Sequence, residues 1–326
     1  MNIISLFHKL IKCFRMGTLR PIVRLAVFRW RVSRAKKNKS YDTLVPACCI
    51  SCINTKIANK INMLPVRSSP LVSIIIPCFN YGQYVLEAVE SILAQSYQST
   101  EICIIDGGST DDITLNVLKS ISNPKISILY QDSPTFVGEN RNRAIAITQG
   151  KYICCLDADD RLLPNYLEKT IYILEQGCAD VVSSGYQILG HPERVFLNMP
   201  FPLLEDLILG NHVLTCAVFR RSFFEKTKGG YVDSGKGSMH IAEDWRLWVH
   251  MAALGARFYA IPEPLLEYRI HGTDSLSRQA GIRPLWKQAD AIYEALKELI
   301  SHEALEISRQ HSHKRFSLCK KATNFI

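Results

Sequence analysis

The stretch from Lys151 to Pro164 reads K-Y-I-C-C-L-D-A-D-D-R-L-L-P, and its two halves follow different rules. Tyr152 to Leu156 is a short apolar run of the kind that forms a buried strand. It stops at three acids, Asp157, Asp159 and Asp160. Polar groups at the carboxyl end of a buried strand lie where open α/β sheets hold their ligands. Asp157 and Asp159, separated by the small Ala158, can turn toward one hard cation. Such a cation takes a couple of carboxylates and leaves its other positions to phosphate oxygens. Pro164 fits the first turn of a following helix. Acid-rich turns also occur on plain surfaces, so the rest of the chain has to choose between a site and a solvated turn.

Upstream, the same unit repeats. Val72 to Ile76 is a β-branched apolar run ending at Pro77, followed by the loop Pro77-Cys78-Phe79-Asn80-Tyr81-Gly82. Val85, Ala88, Val89, Ile92 and Leu93 then recur at helical spacing. Glu101 to Ile105 is a second strand, ending at Asp106 and the turn Gly107-Gly108-Ser109-Thr110-Asp111, whose end can cap the next helix. Ile126 to Tyr130 is a third strand, and a helix over about 139–148 stops at Gly150. Strand and helix alternating in this way predict right-handed crossovers and a mostly parallel sheet. Asn80, Asp106 and Asp157 to Asp160 all follow strands and so share one rim. That favours a ligand site.

Four blocks, V-S-I-I-I-P-C-F-N, I-I-D-G-G-S-T-D, G-E-N-R-N-R-A-I and L-D-A-D-D-R-L-L-P, together resemble the nucleotide-sugar half of family 2 glycosyltransferases, over about 71–277. The resemblance implies an inverting enzyme with a GT-A fold. It implies that Pro77 and Asn80 shape the nucleoside pocket, that Asp106 lies near base and ribose, and that Arg141 and Asn142 border the diphosphate. It makes Asp157, Ala158 and Asp159 the metal- and diphosphate-binding turn, with Asp160 extending it. Asn140 stands where the family often has Ala, and Gly107 where it often has a second Asp. The chemistry agrees. A leaving nucleotide diphosphate gathers negative charge, which a divalent ion at Asp157 and Asp159 would neutralise and Arg141 could meet with a charge-assisted bond.

The second half adds a strand at 179–184, a loop-rich segment at 186–212 expected to shape an acceptor pocket, and a strand at 213–219. Glycines at 229, 230, 235 and 237 make Lys228 to Met239 a candidate lid. In I-A-E-D-W-R-L-W-V-H-M-A, Trp245, Trp248, Val249 and Ala252 form a buried helical stripe. Glu243 and Asp244 occupy its first turn, where the helix dipole favours carboxylates. Capping alone would account for one acid. The pair also resembles the family's Glu-Asp motif, which implies Asp244 as the general base and Glu243 as a residue orienting the acceptor. Tyr268-Arg269-Ile270-His271 resembles the block that closes the family's catalytic domain, with His271 in reach of metal or diphosphate.

Composition sets the limits. The 326 residues carry a net charge of +9, but residues 1–69 hold fourteen Lys/Arg and one acid, while 70–326 are net −4. A nucleic-acid-binding fold is therefore not indicated. Ile3, Ile4, Phe7, Leu10, Ile11 and Phe14 share a helical face beside Lys9, Lys12 and Arg15, a pattern that predicts peripheral membrane contact through residues 1–40. Several of the eleven cysteines sit inside strands, as in reduced cytoplasmic proteins. Cys48, Cys49 and Cys52 lack a second pair at zinc spacing.

The expectation is an α/β GT-A protein divided into a basic amphipathic N-terminal segment and linker (1–69), a nucleotide-sugar-binding half (70–185), an acceptor-binding half (186–280) and a C-terminal helix and tail (281–326). It would transfer sugar from a nucleotide-diphospho-sugar, a UDP-sugar foremost, to a glycan or lipid-linked acceptor, with Mn or Mg, at the cytoplasmic face of the membrane or in the cytoplasm. A sugar-phosphate nucleotidyltransferase would need a Gly-rich loop with Arg or Lys after the first strand, and Pro77 to Gly82 has none. The remaining rival is an inactive glycosyltransferase-like scaffold.

Overall fold

The computed structural model describes residues 69–232, 243–271 and 285–300. The expectations for residues 1–40, for the linker up to 68, for most of the glycine-rich stretch and for the tail after 300 lie outside the described residues. The three upstream units form as expected: β1 (Val72–Cys78), α1 (Gly82–Leu93), β2 (Thr100–Asp106), α2 (Asp112–Ser120), β3 (Ile126–Tyr130) and α3 (Val137–Ile147) lead into β4 (Tyr152–Cys155). They are followed by β5 (Arg161–Leu162), α4 (Tyr166–Glu175), β6 (Val181–Ile188), β7 (His191–Phe196), α5 (Leu204–Leu209), β8 (Val218–Arg220) and α6 (Arg221–Lys226). Next come α7 (Glu243–Ala253), β9 (Phe258–Tyr268) and α8 (Leu285–Leu296).

One sheet runs β3-β2-β1-β4-β8-β6-β9-β5, with β7 paired to β6. β1 is parallel to both β2 and β4, β2 to β3, and β6 to β9, whereas β8 runs antiparallel between β4 and β6. Strands β1 to β4, β6 and β9 therefore point the same way and deliver their carboxyl ends to one rim. β1 and β4 are buried on both faces, as interior strands of a covered parallel sheet must be. Even-numbered β1 residues (Ile74, Ile76) pack with Val85, Val89 and Ile92 of α1. Ile75, Ile153 and Cys155 face the other layer, with Trp245 and Trp248 of α7 and Ile292 and Leu296 of α8. The sheet is thus sandwiched between two helical layers.

Two expectations need correction. The boundary expected between residues 185 and 186 falls inside β6, which stays paired with β9 from Val181 to Ile188, so the two expected halves share one sheet. The strand expected over 213–219 shrinks to Val218–Arg220, because Leu214 and Ala217 close a turn (Ala217 N to Leu214 O, 3.0 Å) that redirects the polar members toward the rim. The loop-rich segment after 186 also holds a strand, β7, and a helix, α5.

Local capping follows the residue chemistry. Asp111 caps α2 by accepting from Thr114 N–H at 2.8 Å. The α3–β4 junction closes onto Arg221, whose Nε donates to Gly150 O at 2.6 Å and whose NH1 donates to Ile145 O at 3.0 Å. Gly108 has φ +85°, and a Cβ there would meet the backbone carbon of Ser133 at 2.4 Å, so only glycine fits the turn after β2. Cys78, Cys103, Cys154, Cys155 and Cys216 are buried free thiols, and burial pushes Cys78 up to about 12. Among the described residues no helix is long and apolar enough to cross a membrane.

Candidate active site

The rim after β1 and β2 is a braced pair of loops. Ile75 O accepts from Leu156 N at 2.9 Å, so Pro77, two residues on, turns its missing N–H toward the place where β4 pairing has already ended. Asn80 adopts φ 56°, a left-handed conformation that asparagine tolerates. Its Oδ1 accepts from Thr110 N at 2.9 Å, and its own N–H donates to Ser109 Oγ at 2.9 Å. Ser109 N–H in turn donates to the buried Asp106 Oδ1 at 3.0 Å. Asp106 and Asn80 are thus joined through Ser109, and Asn80 works first as a brace between the two loops.

Gly107 lacks a side chain because Asn140 fills the space. A Cβ at position 107 would lie 2.7 Å from Asn140 Nδ2, and the Asn140 amide is buried, accepting from Thr135 Oγ1 at 2.5 Å. The two departures from the family pattern are therefore in contact and sterically complementary. Gly107→Ala is expected to destabilise the protein by about 1–2 kcal/mol through overpacking. Adding Asn140→Ala should restore most of that loss, measured by denaturant unfolding of the single and double variants.

The acid turn divides its duties. Asp160 N–H donates to Asp157 O at 3.1 Å, closing the turn. Ala158 is buried in the apolar core on the α1 side, so its methyl faces away from the rim and the flanking acids project outward. Asp160 is buried and accepts from Arg269 N–H at 2.9 Å, which ties the end of β9 to the turn. Burial and the neighbouring Asp157 and Asp159 push the Asp160 carboxyl well above the usual carboxylate range, so it serves structure and is not an exposed ligand. Arg269 also donates from Nε to Asp159 O at 2.9 Å and from NH2 to Glu87 Oε2 at 2.7 Å, with its guanidinium 4.6 Å from the Tyr84 ring centroid.

His271 and Asp159 come together as the resemblance implied: His271 Nε2 lies 2.7 Å from Asp159 Oδ2. Burial first, and Asp157 next, raise the Asp159 pKa. Asp157, however, does not join them. Its Oδ1 accepts from Arg141 NH2 at 2.7 Å, and among the described residues no three His, Cys, Asp or Glu side chains surround one point. Of the three residues expected to hold a metal, Asp159 and His271 are paired and Asp157 is held by Arg141. The donor chemistry still fits a divalent ion. A carboxylate and an imidazole at one point, beside a half-exposed second carboxylate, leave most positions to donor oxygens and water.

Arg141, on α3, is 3 % exposed and donates from NH2 to Asp157 and from NH1 to Glu243 at the start of α7. Although burial disfavours its charge, Glu243 and Asp157 hold its pKa well above normal. Its Nε is buried and has no partner among the described residues. Asn142 faces elsewhere. Its Nδ2 donates to Gly229 O at 3.2 Å and Tyr231 O at 2.6 Å, and its Oδ1 accepts from Tyr231 N at 2.9 Å. The amide clamps the 229–231 loop.

Asp244 is buried at the first turn of α7. Its Oδ2 accepts from Thr215 Oγ1 at 3.0 Å and Asn211 Nδ2 at 3.2 Å, and its Oδ1 from Trp245 N at 2.6 Å. Burial chiefly, with the Glu243 charge adding and Arg141 opposing, pushes its carboxyl up to about 6. A carboxylate poised there is a better proton acceptor near neutral pH than a solvated one. Asn211, Thr215, Tyr231 and Glu87 had no sequence signal. Only the fold brings them within reach.

The glycosyl transferase family 2 model matches residues 73–228. A glycosyltransferase of Rickettsia prowazekii is 30 % identical over 256 residues, covering 73 % of this chain and 76 % of that one. TuaG of Bacillus subtilis, named for teichuronic acid biosynthesis, is 28 % identical over 236 residues, 71 % and 88 % of the two chains. The crystal structure of S. aureus TarS residues 1–349 with UDP-GlcNAc superposes with a TM-score of 0.60 at 16 % identity, over 76 % of this chain and 72 % of that one, and shows the same GT-A fold. Parallel sheet, acid turn, Glu-Asp helix and relatives agree: the chain belongs to glycosyltransferase family 2.

Proposed function

We propose that this glycosyltransferase uses a UDP-sugar, assisted by a divalent cation, and transfers the sugar with inversion to a hydroxyl of a glycan or lipid-linked acceptor. The observation that supports it best is the pairing of Asp159 with His271 on the rim, next to an Asp157 that Arg141 ties to Glu243 at the head of the helix carrying Asp244. Asp159 and His271, joined by Asp157, would hold the cation, which supplies charge neutralisation for the departing diphosphate. The loops braced by Asn80 and Asp106 would receive the nucleoside. The UDP-GlcNAc complex of TarS and the teichuronic acid name of TuaG lend support to a UDP-sugar and a cell-surface glycan.

In the proposed displacement the acceptor oxygen attacks the anomeric carbon opposite the leaving group. The bond from that carbon to the diphosphate oxygen breaks, and the hydroxyl proton passes to Asp244. One carboxylate suffices because no covalent glycosyl-enzyme forms. Thr215 and Asn211 hold the Asp244 carboxylate in a fixed orientation as it takes the proton. The experiment is nucleotide release from a panel of UDP-, GDP- and dTDP-sugars with Mn and oligosaccharide acceptors. Turnover with one UDP-sugar, giving a product of inverted anomeric configuration, is expected. Retention of configuration, or turnover only with GDP-sugars, would overturn the corresponding part of the reading.

A further inference from the structure

Arg141, which the resemblance sets beside the diphosphate, bonds two carboxylates from distant parts of the chain. One nitrogen bonds Asp157 on the donor turn at 2.7 Å, and another bonds Glu243, 102 residues away at the head of α7. The Tyr231 ring lies against the guanidinium, 5.3 Å from ring centroid to Cζ. Tyr231 is itself fixed by Asn142 on both sides of its peptide and by its hydroxyl, 3.4 Å from Cys155 Sγ on β4. Four elements thus meet on one buried cation: α3, the end of β4, the 229–231 loop and α7.

We propose that Arg141 is a positioning residue that bolts the Glu243–Asp244 turn to the donor turn, so that the donor-binding acids and the base are held in register by one guanidinium. This rests on the donor and base assignments above. The physical grounds are geometric. A planar guanidinium fixes two carboxylates at a set angle, which a flexible ammonium cannot do. Asp157 is 37 % exposed and Glu243 17 %, so each could be solvated separately, and it is the buried Arg141 that draws them to one point. Its remaining nitrogen, Nε, is buried and has no partner among the described residues, so the two ion pairs use the outer nitrogens of the fork. Misplacing a base by about 1 Å is enough to slow chemistry about 100-fold. That is the scale on which such a bolt acts.

The test separates positioning from phosphate binding by comparing nucleotide affinity with turnover. For Arg141→Lys, the calorimetric Kd for UDP with Mn should stay within about threefold of wild type, while kcat at saturating donor falls about 50-fold. Arg141→Lys combined with Glu243→Gln should be no slower than the worse single variant, because both break the same link. Asp157→Asn with Glu243→Gln gives a second cycle that leaves the buried arginine in place, and its effects on kcat should also be non-additive. A Kd weakened tenfold or more with kcat unchanged would make Arg141 a phosphate ligand and overturn the proposal. Fully additive losses in both cycles would overturn it too. If wild type itself binds no UDP, the donor assignment fails and takes this proposal with it.

Discussion

Asp244→Asn should abolish transfer and, above pH 6, make the folded chain harder to unfold. The first half follows from its proposed role. Removing a general base lowers kcat by about 10²–10⁴-fold, and here no second carboxylate stands ready, since Glu243 is paired with Arg141. The second half follows from linkage. The Asp244 pKa is raised from an ordinary 3.8 to about 6, chiefly by burial. Between those values the folded chain keeps a proton that the unfolded chain has lost, so stability falls as pH rises through that window. Below about pH 4 both states are protonated and the penalty vanishes. Above about pH 6 it is complete, at roughly 1–3 kcal/mol from a shift of about two units at 1.36 kcal/mol each. Asparagine carries no such penalty, although its amide has to find a new match at Thr215 and Asn211. Urea unfolding at pH 4 and pH 8 is the check. The variant should gain on wild type only at the higher pH. For the wild-type enzyme, kcat/KM should rise about tenfold per pH unit below 6 and level off above it.

Asp159→Ala carries the second large effect: metal-dependent nucleotide binding should weaken by more than about 100-fold, because loss of a partner behind a metal ligand alone costs 10–100-fold. The fold should survive. The Asp159 carbonyl accepts a hydrogen bond from the Arg269 side-chain Nε, which alanine retains. Its carboxyl carries a raised pKa from burial and from Asp157, so deleting the charge removes a repulsion. Thermal unfolding at or above the wild-type midpoint, together with lost Mn-dependent affinity for UDP, is the expected pair of results. His271→Ala should lose less, since one carboxylate would remain at the same point.

Much of this is legible in the sequence. Three apolar runs of strand length, each closed by a polar turn, were enough to place Asn80, Asp106 and Asp157 on one rim, because a parallel sheet sends like ends the same way. The acid pair at the head of α7 was visible from its amphipathic stripe. What the sequence could not show was which partners these groups choose. Asp157 turns to Arg141 and not to Asp159, because a buried guanidinium needs two carboxylates and the fold offers Glu243 as the other. Asn142 turns its amide to the 229–231 loop, a contact 87 to 89 residues away in sequence that no local spacing encodes. The support for Asp244 from Asn211 and Thr215 arises from a turn that replaces most of an expected strand. Local pattern sets the elements. Pairing among polar side chains is decided by the tertiary structure.

The account stands or falls on the donor site, and calorimetric titration of UDP into the purified chain, with and without Mn, tests it most directly. The predicted result is one site per chain with an affinity that depends on Mn and disappears in Asp159→Ala. Absence of binding by a folded chain, for UDP and equally for GDP and dTDP with Mn present, would contradict it and leave a glycosyltransferase fold serving as a scaffold.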